Sequence, residues 1–243
     1  MNSRLAILVK GELHRLHKYN LTSVSVLVAL IWGVFLFFLD SSLDTMLPFV
    51  LVMDATMMSI MYVGAVMFFE KSESTISTML VTPVTNSELV LSKVLANTLH
   101  NMFASALIIT VFMIIKDVSI NIPLVVIAIL LTTAFHTTLG VFMAYYQKDF
   151  TGMLVNVMIF SFVLFVPSVL FLLNVISGPI WEAILLINPI QAGQEIILAA
   201  FKDYEFTYKY YFSLSYLIVL GILGYKYFVL PKFQDYAVKQ SGV

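Results

Sequence analysis

Six hydrophobic runs, each long enough to cross a lipid bilayer, occupy most of this sequence of 243 residues. About 20 apolar residues in an α-helix cover roughly 30 Å of hydrocarbon, and only helices or closed barrels leave no backbone group unpaired there. The composition, 60% hydrophobic and 11% charged, is far more apolar than that of a soluble domain. We therefore predict an all-α integral membrane protein in one domain, 1–243. The six expected transmembrane helices are 21–39, 48–69, 94–115, 122–145, 153–173 and 211–230.

Lysine and arginine are distributed unevenly between the two expected membrane faces. Ten of the 13 fall on the face with the N-terminus, and only Lys116, Lys202 and Lys209 fall on the other. Cytoplasmic loops carry the excess of positive charge, so we expect both termini in the cytoplasm. In residues 1–20 the leucines follow one helical stripe, interrupted by Glu12, which predicts an interfacial helix. A flexible basic tail is the alternative.

Segment 70–93, between the second and third runs, is charged and rich in hydroxyl groups. Each ionised group costs a few kcal/mol in hydrocarbon, so this segment is expected at the cytoplasmic face, where a soluble partner can reach it. Segment 178–201 is different, because Asn188 and Pro189 divide it into two halves of about 15 Å each, half a bilayer. It predicts either a re-entrant hairpin entering from the outer face or two amphipathic helices on that surface. Its polar residues are candidates for lining a pathway: Glu182, Gln191, Gln194 and Glu195.

Several polar residues fall within the hydrophobic runs. Asp54 is costly in lipid and is a functional candidate for that reason. Asn97, His100 and Asn101 lie near the start of the third run, and His136 lies among threonines in the fourth. These residues are candidates for a transport pathway, but interhelical hydrogen bonds of roughly 0.6–2 kcal/mol each explain them equally well.

Several classes of function are excluded by what the sequence lacks. With no Cys there is no disulfide or thiolate chemistry, and a net charge of −1 without a basic run gives no nucleic-acid surface. No G-x-x-x-x-G-K-[ST] loop occurs, so the chain does not hydrolyse ATP by the usual route. No cluster of ligands or of catalytic side chains predicts a metal site or an enzyme.

The order of motifs in the charged segment resembles a known family. Stretches 70–73, 75–76, 79–83 and 88–93 are similar to the signature that follows the second span of type-2 ABC-transporter permeases, and 188–190 resembles a second stretch. Ser74 departs from the family, which often has Gly there. The resemblance implies a coupling helix that docks on a separate ATPase subunit. The implied docking residues are Glu70, Lys71, Glu73, Thr75, Met79, Leu80, Thr82 and Pro83.

The same resemblance implies the membrane subunit of an ATP-driven exporter in a bacterial cell membrane. Two copies of the ATPase would bind ATP and Mg, with no cofactor in this chain, and a second permease copy or close homologue would complete the pathway. The apolar composition suits amphiphilic drugs, lipids or hydrophobic peptides as cargo. The alternative is an ATP-independent secondary transporter or channel. Such proteins usually carry ionisable groups in several spans or repeated broken helices, whereas Asp54 stands nearly alone here.

Overall fold

The computed structural model describes residues 3–38, 43–115, 118–201 and 204–240. Lys116 and Lys202, which entered the charge count above, lie outside these ranges. Within them the chain forms α-helices, with two π-helical turns at Asp54–Met58 and Gly224–Val229. The helices are α1 (Ser3–Lys18), α2 (Leu21–Phe38), α3 (Leu43–Met53), α4 (Ser59–Ser72), α5 (Thr75–Leu80), α6 (Asn86–Ile115), α7 (Ile122–Ala144), α8 (Phe150–Leu172), α9 (Pro179–Leu186), α10 (Pro189–Leu198), α11 (Tyr208–Leu223) and α12 (Leu230–Gln240).

The prediction of an all-α membrane protein is confirmed. Five helical stretches are long and apolar enough to cross a membrane, and the pair α1 and α2, bent by 62°, supplies a sixth. The second stretch joins α3 and α4 through the π-helical turn that contains Asp54. The last joins α11 and α12 through the other π-helical turn, and we call this continuous element the last helix.

Two helices extend furthest beyond the hydrophobic runs that predict them. Helix α6 begins at Asn86, not near residue 94, because Thr85 and Glu88 form a reciprocal cap. The Thr85 backbone N–H donates to Glu88 Oε2 at 2.9 Å, and the Glu88 N–H donates to Thr85 Oγ1 at 3.2 Å. The last helix continues past residue 230 to Gln240, and its final turns bury Phe233 and Ala237 against Leu89 of α6.

Helices α1, α5 and α12 meet at one end of the bundle, which therefore carries the first and the last described helix. Residues 1–20 contain a packed helix, α1, which lies along α6 and buries Val9 and Leu16. At the same end α12 packs on α5 and on the start of α6. The short α5 is thus supported from two sides by helices far apart in the sequence.

Helices α9 and α10 differ in burial. Helix α9 is mostly exposed, whereas α10 packs against α3, α7, α8 and α11. The Asn188 side chain caps α10 at Ile190 N and donates to the Leu164 carbonyl of α8 at 2.7 Å. Gly193 lies against Thr132 of α7, where an added Cβ would fall 2.7 Å from the threonine methyl carbon. Leu164 lies on α8 and Thr132 on α7. Along the helix axis, each is roughly 12–15 Å from the nearer end of its helix.

Candidate coupling and transport site

The connection between α4 and α6 is the first part of the candidate site, and we call residues 73–85 the coupling segment. Helix α4 ends at Ser72, and Ser74 has a left-handed backbone with φ of 55°, which turns the chain into α5. Thr75 Oγ1 donates to the Glu70 carbonyl at 3.0 Å, and Thr82 Oγ1 donates to the Met79 carbonyl at 2.6 Å. Both ends of α5 are therefore fixed by hydroxyl groups, as expected for threonine at helix boundaries.

The left-handed conformation of Ser74 gives a direct prediction. Ser pays a steric cost there that Gly avoids, so Ser74→Gly should raise the free energy of unfolding by about 0.5–1 kcal/mol and Tm by about 1–4 °C. Thermal unfolding in detergent measures this shift. Ser72→Gly, at the last residue of α4, is the matched control and should lower Tm, since it removes the hydroxyl that donates to the Phe69 carbonyl at 2.8 Å and Gly weakens a helix. A fall in Tm for Ser74→Gly would contradict the prediction.

Helix α1 holds the coupling segment through polar contacts. Lys18 Nζ donates to both carboxylate oxygens of Glu73 at 2.9 and 3.0 Å, and the Tyr19 hydroxyl donates to the same carboxylate at 2.9 Å. These hydrogen bonds hold the pKa of Glu73 below its usual range. The stability that these hydrogen bonds contribute is therefore present at neutral pH and is lost in acid, where the Glu73 carboxylate becomes protonated. Arg4 Nη1 donates to the Pro83 carbonyl at 3.3 Å, so α1 contacts both ends of the segment.

Behind the coupling segment lies a buried cluster of four charged side chains, which we call the ionic cluster: Glu12, Arg15, Glu70 and Lys93. Arg15 lies 2.7 Å from Glu12 and 3.1 Å from Glu70, and Lys93 Nζ lies 2.9 Å from Glu12. Lys93 also donates to both oxygens of Glu70. Two acids and two bases balance, so the cluster joins α1, α4 and α6 without net charge.

The ionic cluster corrects one part of the sequence interpretation. Glu70 is predicted on the docking surface, whereas its side chain is fully buried and faces α1 and α6. The free-energy cost of burying the Glu70 carboxylate in a low-dielectric site is offset by its pairing with Arg15 and Lys93. Sequence reasoning missed Glu12 and Arg15 as its partners. The available signal was Glu12 itself, an acid that interrupts the apolar stripe of α1 and so requires a buried partner.

The remaining docking residues lie on or near the surface. Glu73, Thr82 and Pro83 are exposed, and Lys71, Thr75 and Met79 are half-buried; the side chain of Leu80 lies outside the described residues. Val81, which sequence reasoning overlooked, is 85% exposed at the end of α5. Val81 thus offers an accessible apolar group to a partner at the end of α5.

The second part of the site is a set of buried polar residues between α4, α6 and α7. Asp54 opens the first π-helical turn, where its Oδ2 accepts from Ser105 at 2.7 Å and its backbone carbonyl accepts from Asn101 at 3.0 Å. Asn97 donates to the Ser59 carbonyl at 2.9 Å and to Thr137 Oγ1 at 2.7 Å. A π-helical turn shifts the register of backbone hydrogen bonds, and such turns are frequent at functional sites.

The two histidines of this set are buried beside those residues. His136 Nδ1 lies 2.8 Å from the Thr132 carbonyl, and its Nε2 has no partner among the described residues. His100 packs edge-on to Tyr62, with ring centroids 5.2 Å apart, and in the described part of the chain neither of its ring nitrogens is hydrogen-bonded. Buried polar atoms normally have a partner, so these nitrogens are suited to binding water or another small polar group.

The polar residues of segment 178–201 form a separate group near the other end of the bundle. Glu182 lies 3.1 Å from Lys209, and Glu195 accepts from the Tyr204 hydroxyl at 2.7 Å. Glu182, Lys209 and Glu195 line a small cavity of about 60 Å³ together with Gln191. Gln194 is buried on α10. The sequence candidates for the pathway thus divide into an inner set around Asp54 and an outer set around Glu182.

Comparison with known families decides what kind of protein carries this arrangement. The ABC-2 type transporter family matches residues 4–202, which include α1, the coupling segment, the inner polar set and α10. The chain belongs to the ABC-2 type transporter family. It is therefore a multi-pass membrane permease of an ABC transporter, a transport component that is not itself catalytic, and its family implies association with an ATPase subunit. No curated protein sequence matches the chain.

Proposed function

We propose that this permease is the membrane subunit of an ATP-driven exporter and that a separate ATPase moves it through the coupling segment. The observation that carries the proposal is the exposed Val81 at the end of a segment that α1 and α12 support from behind. A partner that contacts Val81 meets a supported surface, not a free loop. ATP and Mg belong to that partner, and both termini lie in the cytoplasm of a bacterial cell.

Two polar connections would carry motion from the coupling segment into the membrane helices. Glu73 connects it to the end of α1 through Lys18 and Tyr19. The ionic cluster connects α1 to α4 and α6. Asp54 lies in the π-helical turn that continues into α4, and Asn97 and Asn101 lie on α6. Displacement of α1 therefore acts on the two helices that hold the inner polar set.

Much of the surface of the membrane helices remains free for other contacts. In α8 and the last helix only 17% of the most apolar stretch is buried within the chain. We expect two ATPase copies and a second permease copy or close homologue, since six helices enclose too little space for a wide path. The depth of Leu164 and Thr132 supports a re-entrant hairpin at 178–201. We propose amphiphilic drugs, lipids or hydrophobic peptides as cargo.

Reconstitution separates this proposal from the secondary transporter or channel. The permease is placed in proteoliposomes with and without the ATPase that co-purifies with it, and movement of a fluorescent amphiphile is followed. Movement should require both the ATPase and ATP, and a permease with a hydrolysis-deficient ATPase is the control. Movement of the amphiphile by the permease alone would overturn the proposal.

A further inference from the structure

An open apolar groove of about 320 Å³ lies between α7 and the last helix, and none of the residues that line it belongs to the coupling segment. Phe135 and Phe142 of α7 form one wall, and Phe228 lies on the other. Gly221 and Gly224 leave the space between the walls open. An added Cβ at Gly224 would meet no atom within 4 Å. In a membrane such a groove faces hydrocarbon, so an apolar chain fills it.

A second cavity of about 200 Å³ with polar groups lies beside the groove at the coupling-segment end, and we call it the mouth of the groove. Lys232, one helical turn beyond Phe228, donates to the Tyr146 hydroxyl, and its ammonium lies 5.1 Å from the ring centroid of Phe142. Lys232 is exposed, so its ammonium is accessible as a donor to a phosphate oxygen.

The geometry points to a binding site for one anionic phospholipid of the leaflet on the coupling-segment side. Its acyl chain lies in the groove, and its phosphate lies at Lys232. From Phe135 to Tyr146 the groove and its mouth extend roughly 16 Å along α7, about half the thickness of the hydrocarbon. The apolar walls of the groove match an acyl chain, and the Lys232 ammonium beside them matches the phosphate to which that chain is joined. Asp235 also lines the mouth and opposes the negative head group.

Native mass spectrometry of the purified full-length chain with equal amounts of phosphatidylglycerol and phosphatidylcholine tests the charge match. The wild type should retain phosphatidylglycerol about fivefold more than phosphatidylcholine, the preference expected from one lysine at an anionic surface. Lys232→Gln should bring the ratio close to one, and Lys232→Arg should keep it. Asp235→Asn should increase it. Lys226→Gln is the matched control, because Lys226 is exposed on the same helix but lines neither cavity.

A groove-filling variant tests the position of the acyl chain. Gly224 lines the groove and an added Cβ there meets no atom within 4 Å, so Gly224→Leu places a side chain in the groove and retention of both lipids should fall severalfold. Equal retention of the two lipids by the wild type would overturn the inference, as would a Lys232→Gln variant that keeps the preference. A Gly224→Leu variant that dissociated permease copies without changing lipid retention would also overturn the inference, because the groove would then hold a second copy.

Discussion

Replacing Lys93 by Met lowers the free energy of unfolding by about 3–5 kcal/mol, because Glu70 then stays buried without its ammonium partner. Glu12 loses its contact with Lys93 as well and keeps only Arg15. For a chain of this length the change corresponds to a fall in Tm of about 6–20 °C. Thermal unfolding of the purified permease in one fixed detergent measures it.

The double variant Lys93→Met with Glu70→Leu distinguishes an unpaired charge from a simple loss of packing. Removing both partners leaves Glu12 paired with Arg15, so much of the lost stability should return. Lys71→Met is the matched control. Lys71 neighbours Glu70 in sequence but is half-buried, so its replacement should change stability by about 0.5 kcal/mol or less. A double variant less stable than Lys93→Met alone would show that the ion pair is not the source of the effect.

Replacing Val81 by Asp weakens the association with the ATPase tenfold or more, roughly 1.4 kcal/mol or above. Val81 is 85% exposed in this chain, so the carboxylate is solvated in the free permease and the fold is kept. In the complex the same carboxylate would enter an apolar contact and lose its water. Binding of the ATPase to the detergent-purified permease gives Kd for both forms.

Val175→Asp is the matched control for this substitution. Val175 is 66% exposed in the connection between α8 and α9, away from the end that carries the coupling segment. The same change there should leave Kd unaltered, which separates a local effect from a change of net charge. If Val81→Asp bound the ATPase as tightly as the wild type, the coupling segment would not be the docking surface.

The positions of the helices followed from local sequence signals. Hydrophobic runs of bilayer length located the membrane helices, and the Asn188-Pro189 pair marked the start of α10. The earlier start of α6 could also be predicted from the sequence, since Thr85 and Glu88 have the spacing of a capping box. The extension of the last helix to Gln240 could not be predicted, because its final turns are stabilised by packing on α6 and not by the length of a hydrophobic run.

The sequence by itself determined that this chain is a bundle of membrane helices with a polar connection between the second and third spans, because hydrocarbon accepts neither unpaired backbone nor unpaired charge. Only the tertiary structure decided which charges meet. Glu70 and Glu73 are three residues apart, yet one is buried among Arg15 and Lys93 and the other is exposed beside Lys18. The reason is the position of α1, whose contacts with α4 and α6 depend on packing between segments that are distant in the chain.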